Sequence, residues 1–131
     1  MTTTTRRRAL LALAAASAVP PATARAHHGW SEFGREAFVL EGTAREVRLG
    51  NPHGIVAVED ARGQVWEAQL APPSRNRAAG LVEGAVAPGD AVRATGRRHR
   101  DPARLVMKTE RLEARGRAFD VYPERLSSAA R

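Results

Sequence analysis

Three histidines in this chain have the placement to do chemistry together: the adjacent pair His27 and His28, and His53 within Gly50-Asn51-Pro52-His53-Gly54. The pair follows Ala24-Arg25-Ala26, an A-x-A pattern that reads as a processing site. Cleavage there makes His27 the first residue, so its α-amine becomes a ligand beside its imidazole. An α-amine has a pKa of about 7.7–8, so a metal ion displaces its proton near neutrality. Two chelates are then open: amine with the His27 imidazole, or amine with the His28 amide and imidazole. Either leaves room for His53. Nitrogen-only ligation in a square or tetragonal array suits cupric ion, with nickel next. Three imidazoles around a tetrahedral ion suit zinc. The chain has no cysteine, and Met107 is the only methionine after residue 26. Thiolate sites and methionine-rich cuprous sites are therefore excluded, and copper in its cupric state is the favoured ion. The fourth histidine, His99, lies in an arginine-rich run and is read as standing outside the site.

The processing site belongs to a larger pattern. Arg6-Arg7-Arg8 precede an apolar run from Ala9 to Val19, closed by Pro20-Pro21. A basic start, a short apolar stretch and small residues at the cut predict a cleavable signal peptide over residues 1–26. The run is too short for a membrane-spanning helix. Thr5-Arg6-Arg7-Arg8-Ala9-Leu10 loosely fits a twin-arginine signal and fits an ordinary secretory one equally well. The expected destination is the periplasm or the medium.

Removal of residues 1–26 leaves one small domain, and most of the formal charge of +7 goes with the segment, which holds four arginines and no acid. So mild a remaining excess gives little reason to invoke nucleic acid. Lys108 is the only lysine, which reads as base composition rather than function.

A second reading needs no metal. Arg97-Arg98-His99-Arg100 reads as an exposed basic loop, with Arg97, Arg98 and Arg100 as candidates to bind a protein, a glycan or another anionic ligand. No aromatic residue lies between Trp66 and Phe119 to stack bases beside those arginines. A non-enzymatic binding or accessory module is the alternative to a metal protein. Catalysis has no constellation to rest on. Ser74 lacks a Gly-x-Ser-x-Gly setting, the carboxylates are scattered, and no glycine-rich loop opens a helix. Asp60 and Asp90 fall in turns, where aspartate commonly bonds the local backbone.

The elements that must position these residues are mostly strands. Residues 27–37 read as a polar arm carrying Trp30 and Phe33, which either anchor the arm or plug one end of a barrel. Residues 38–49 read as a long first strand that changes phase near Gly42, where a bulge or bend is expected. Strands at 55–59 and 65–70 flank the hairpin loop Asp60-Ala61-Arg62-Gly63. Ser74 reads as the cap of a short helix running to about Gly80 or Leu81. Further strands are expected at 91–96 and 105–112, with a short edge strand near 119–122. Three strands, a helix and two strands is the order of an OB-fold, a five-stranded, partly open barrel. An antiparallel sandwich shows similar spacing. The barrel domain is set at 38–123, with 124–131 as a frayed tail. The predicted core includes Leu40, Val47, Val56, Val58, Trp66, Ala68, Leu70, Val92, Ala94, Leu105 and Met107. On this layout His53 lies one strand away from the arm, about 33 Å for ten residues. The arm must fold back along that strand if the histidines are to meet.

The order His27-His28-Gly29-Trp30, then Leu40-Glu41-Gly42-Thr43, then Asn51-Pro52-His53 resembles a family of small exported bacterial proteins of unknown function. The resemblance continues through Trp66, Ser74, Pro88-Gly89-Asp90 and Gly116-Arg117, and covers nearly all of residues 27–123. It implies export and a β-rich domain, and implies no activity. Gly29 stands where the family usually has serine, Ala44 where it has valine, and Gly54-Ile55 where it has an aromatic residue. The histidines are retained.

Overall fold

The computed structural model describes residues 29–126. Six strands form within them: β1 (Phe38–Arg48), β2 (Ile55–Glu59), β3 (Val65–Gln69), β4 (Ala91–Arg98), β5 (Val106–Ala114) and β6 (Arg117–Asp120). One short helix, α1 (Pro73–Ala78), lies between β3 and β4. The sheet order is β3-β2-β1-β4-β5-β6, and β3 also pairs with β5 in parallel. That last pairing closes β1 to β5 into a barrel, and the other pairings are antiparallel. The connectivity is that of an OB-fold-like barrel, with β6 added at the edge.

β1 serves both halves of the barrel. Its first half, Phe38 to Thr43, pairs with β4, and its second half, Thr43 to Arg48, pairs with β2. The changeover requires a close approach at Gly42. A Cβ there would stand 2.1 Å from the Glu59 carbonyl oxygen, so no side chain fits. The expected phase change is real but sits further on: the register shifts between Ala44 and Glu46. Gly42 supplies contact, and the bulge supplies the bend.

Alternation drives the core. Leu40, Val56, Val58, Trp66, Ala68, Leu70, Val92, Ala94 and Met107 are buried as their strand parity predicts. Val47 and Leu105 are only partly buried and pack against the rim. Leu81, Val86, Leu112, Phe119 and Val121 complete the interior. Trp66 is held at both ends. Its ring packs on Phe38 at 5.2 Å, and its indole N–H donates to Asp60 Oδ2 at 3.0 Å. Asp60 Oδ1 also accepts the backbone N–H groups of Arg62 and Gln64, which fixes the β2–β3 hairpin.

Several boundaries differ from expectation. α1 starts at Pro73, with Pro72 as its N-cap and no side-chain cap, so Ser74 lies inside the first turn. Proline there sacrifices a backbone N–H that a helix start leaves unpaired anyway. β4 extends to Arg98, and His99 forms an isolated bridge with Phe33. Residues 124–126 are no frayed tail: Pro123–Arg125 make a 3-10 turn, and Leu126 is buried. The C-terminal residues beyond Leu126, and His27 and His28, lie outside the described residues. No helix among the described residues is long and apolar enough to cross a membrane.

Candidate functional site

His53 stands at the entry to β2, in a loop tied to the barrel from below. Gly54 N–H donates to the Ala71 carbonyl, and Leu70 N–H donates to the Gly54 carbonyl. Asn76, buried on α1, clamps Ala71 through both its N–H and its C=O. A Cβ at Gly54 would meet Asn76 Nδ2 at 2.9 Å, so this loop tolerates little beyond glycine there. His53 itself is half-buried, and its one side-chain hydrogen bond is local, Nδ1 to the Gly54 carbonyl at 3.1 Å. Since a carbonyl only accepts, the proton sits on Nδ1, and the Nε2 lone pair is left for another partner.

The arm takes a different path from the one expected. It does not fold back along β1. Phe33 pairs with His99 at the end of β4, and Gly34 N–H donates to the Arg98 carbonyl. Trp30 then lies on the outside of β5, edge-on to Tyr122 at 5.1 Å and with Lys108 Nζ 5.7 Å from its ring. Neither Trp30 nor Phe33 plugs the barrel. Gly29, the first described residue, stands beside Lys108: a Cβ on it would lie 3.6 Å from Nζ. Lys108 pairs with Gln69, and Gln69 pairs with Ile55, two residues beyond His53. Barrel closure therefore sets the Lys108 backbone two interstrand steps, about 10 Å, from Ile55.

The arginines are not a loop. Arg97 and Arg98 belong to β4, and both are engaged. Arg97 pairs with Glu110 at 2.8 Å, their side chains 17% and 3% exposed, and also donates to the Arg35 carbonyl. Glu110 is the residue skipped where the β4–β5 register shifts, and its carbonyl accepts both Val121 and Tyr122 N–H. Arg98 lies over the Trp66 and Phe38 rings and closes that end of the barrel. Arg100 alone is in the loop and exposed, with Nε donating to the Phe33 carbonyl. His99 is locked. Its Nδ1 accepts Asp101 N–H, its Nε2 faces Arg104 at 3.1 Å, and its ring meets Phe33 edge-on.

Sequence reasoning passed over a cluster that assembles on this outer face. Trp30, Phe33, Gly34, Arg35, Arg97, Arg100, Glu110, Glu124 and Arg125 line one concavity of about 420 Å³. Lys108 lies beneath the Trp30 and Phe33 rings. Burial, reinforced by the nearby Arg125 charge, pushes its ammonium below the usual lysine range. The signal was present as a lone lysine in an arginine-rich chain. Its burial was not legible, because an outward position on β5 reads as solvent until the arm covers it. Among the described residues no three histidine, aspartate or glutamate side chains converge as a metal site.

Three solved chains are similar in structure. One is in the crystal structure of the S. pombe Stn1-ten1 complex, with a TM-score of 0.49 and 13% identity, over 60% of this chain and 57% of that one. This chain thus spans little more than half the length of that neighbour. No curated protein matches. A family model matches residues 13–107, which take in the arm, His53 and the strands up to the first two residues of β5, so the chain belongs to the family of unknown function DUF6152.

Proposed function

We propose that this chain is an exported domain whose mature N-terminus, freed at His27, joins His28 and His53 in holding a divalent transition metal, with copper favoured. The observation that supports this reading is the row Lys108–Gln69–Ile55, which begins at the residue whose side-chain tip meets Gly29 and ends two residues from His53. Two further residues of chain reach about 7 Å, before their side chains are counted. The His53 loop adds to it, because the Nδ1 contact leaves Nε2 as a lone-pair donor in a backbone held on Ala71 and Asn76. This is how a ligand imidazole is oriented in metal proteins generally.

The test is copper titration of protein beginning at His27, against protein with one extra residue before it and against His53→Ala. Binding by the protein that begins at His27 should weaken as pH falls below about 6.5, where imidazoles and amines protonate. If the extra residue changes nothing and His53→Ala abolishes binding, the imidazoles remain as ligands and the terminal amine does not. Binding no tighter than that of an unstructured peptide with the same histidines refutes the proposal. Intact mass of the exported protein should begin at His27. A mature chain that retains residues 1–26 removes both export and the amine ligand.

A further inference from the structure

The concavity between the arm and the 3-10 turn has more positive charge than its own carboxylates neutralise. Its two acids are committed elsewhere: Glu110 to Arg97 at 2.8 Å, and Glu124 to Arg75 at 2.8 Å. Arg35, Arg100 and Arg125 line the same space, and none of them is in an ion pair among the described residues. Arg125 lies over the Trp30 ring at 3.9 Å, and Arg100 is held through Nε on the Phe33 carbonyl. Lys108 adds a fourth cation behind the two rings, 8% exposed as a residue. Like charges gather in one place at a cost in repulsion, which a multivalent anion relieves.

We infer that this concavity is a binding site for a phosphoryl-type oxyanion, held by Arg35, Arg100 and Arg125 against the Trp30 wall with Lys108 behind. A guanidinium presents paired N–H donors to tetrahedral oxyanions, and three such groups lining one space suit a phosphoryl oxyanion better than a single carboxylate. The space of about 420 Å³ exceeds a bare phosphate, so a phosphate bonded to a larger group also fits. This site uses none of the three histidines and stands independently of metal binding.

The experiment is a titration with inorganic phosphate at constant ionic strength, read through the Trp30 indole N–H signal, with chloride as the reference anion. The signal should shift saturably with phosphate and not with chloride. Arg35→Glu and Arg100→Glu should each weaken binding at least tenfold, with unchanged far-UV dichroism. Arg62→Glu, in the exposed β2–β3 hairpin, is the control for general charge and should change affinity less than twofold. A second arm offers phosphatidylglycerol vesicles. Vesicle binding that the two pocket variants abolish assigns the phosphoryl group to a lipid headgroup, and saturable phosphate binding without vesicle binding assigns it to a free solute. Phosphate acting no better than chloride, or Arg62→Glu weakening binding as much as Arg100→Glu, overturns the proposal.

Discussion

His53 and His99 sit in opposite surroundings on one small barrel. His99 is fixed by Asp101, Arg104 and the Phe33 ring, with Glu32 Oε2 3.8 Å from Nε2, and its side chain is 9% exposed. It fastens the arm to the end of β4. Among the described residues His53 has one side-chain hydrogen bond, to its neighbour's carbonyl, and none at Nε2. A histidine packed in on both sides of its ring serves structure, whereas one held by its backbone and more open at the ring can serve a ligand. Only the packing tells the two apart.

The comparison breaks first at the barrel end beneath His99. Trp66 fills it, packed on Phe38 and covered by Arg98. Trp66→Ala should cost about 3–5 kcal/mol in denaturant unfolding. A loss under about 1 kcal/mol would mean the ring is not core, and the clamped end would lose its foundation. Next is the ion pair under the arm. Arg97→Ala strands the Glu110 carboxylate in a buried place and should cost about 3 kcal/mol. The double variant Arg97→Ala with Glu110→Gln should recover part of that loss, since the unpaired charge is then gone. If the double change costs the sum of the two single ones, the pair is not coupled.

The histidines themselves come third, and they should separate cleanly. His99→Ala should lower stability by about 1–2 kcal/mol, through the hydrogen bond from Asp101 N–H and the Phe33 ring contact, and leave copper affinity unchanged. His53→Ala should cost about 0.5 kcal/mol or less and remove copper binding. Equal effects of both variants on copper would place the metal in solution-like encounters rather than at a site. The smallest expected effect is on the acid side. The Trp66 indole N–H, ahead of the backbone donors at Gln64 and Arg62, holds the Asp60 carboxyl below its ordinary value of 3.8. A lowered carboxyl adds stability that is complete above the unfolded value and fades as pH falls through the folded one. Asp60→Asn should therefore flatten the part of the unfolding curve below about pH 4 and change little at neutrality. An unaltered acid limb would show that Asp60 plays no part in it.

Strand parity made the barrel legible. The alternation through Trp66, Ala68 and Leu70, and the turns at Gly63 and Pro88-Gly89, depend on residues within a few positions of each other, so one-dimensional reading finds them. Ser74 misled because a serine before a helix looks like a cap, whereas Pro72 and Pro73 set the start by their fixed backbone angle. The arginine run misled for a longer-range reason. Whether Arg97 faces water depends on Glu110, thirteen residues away, and on an arm more than sixty residues earlier in the chain.

By itself, the sequence determined which residues could act: a histidine pair after an A-x-A pattern, a third histidine in a turn, and no cysteine to compete with them. Only the tertiary structure decided which described segments are neighbours. The parallel pairing of β3 with β5 joins segments about forty residues apart and sets Lys108, beside Gly29, two interstrand steps from Ile55. Such pairing is dictated by closure of the whole sheet, which no local pattern encodes. The same closure, with the arm laid across β5, gathers Arg35, Arg100, Lys108 and Arg125 from four separate segments into one basic concavity.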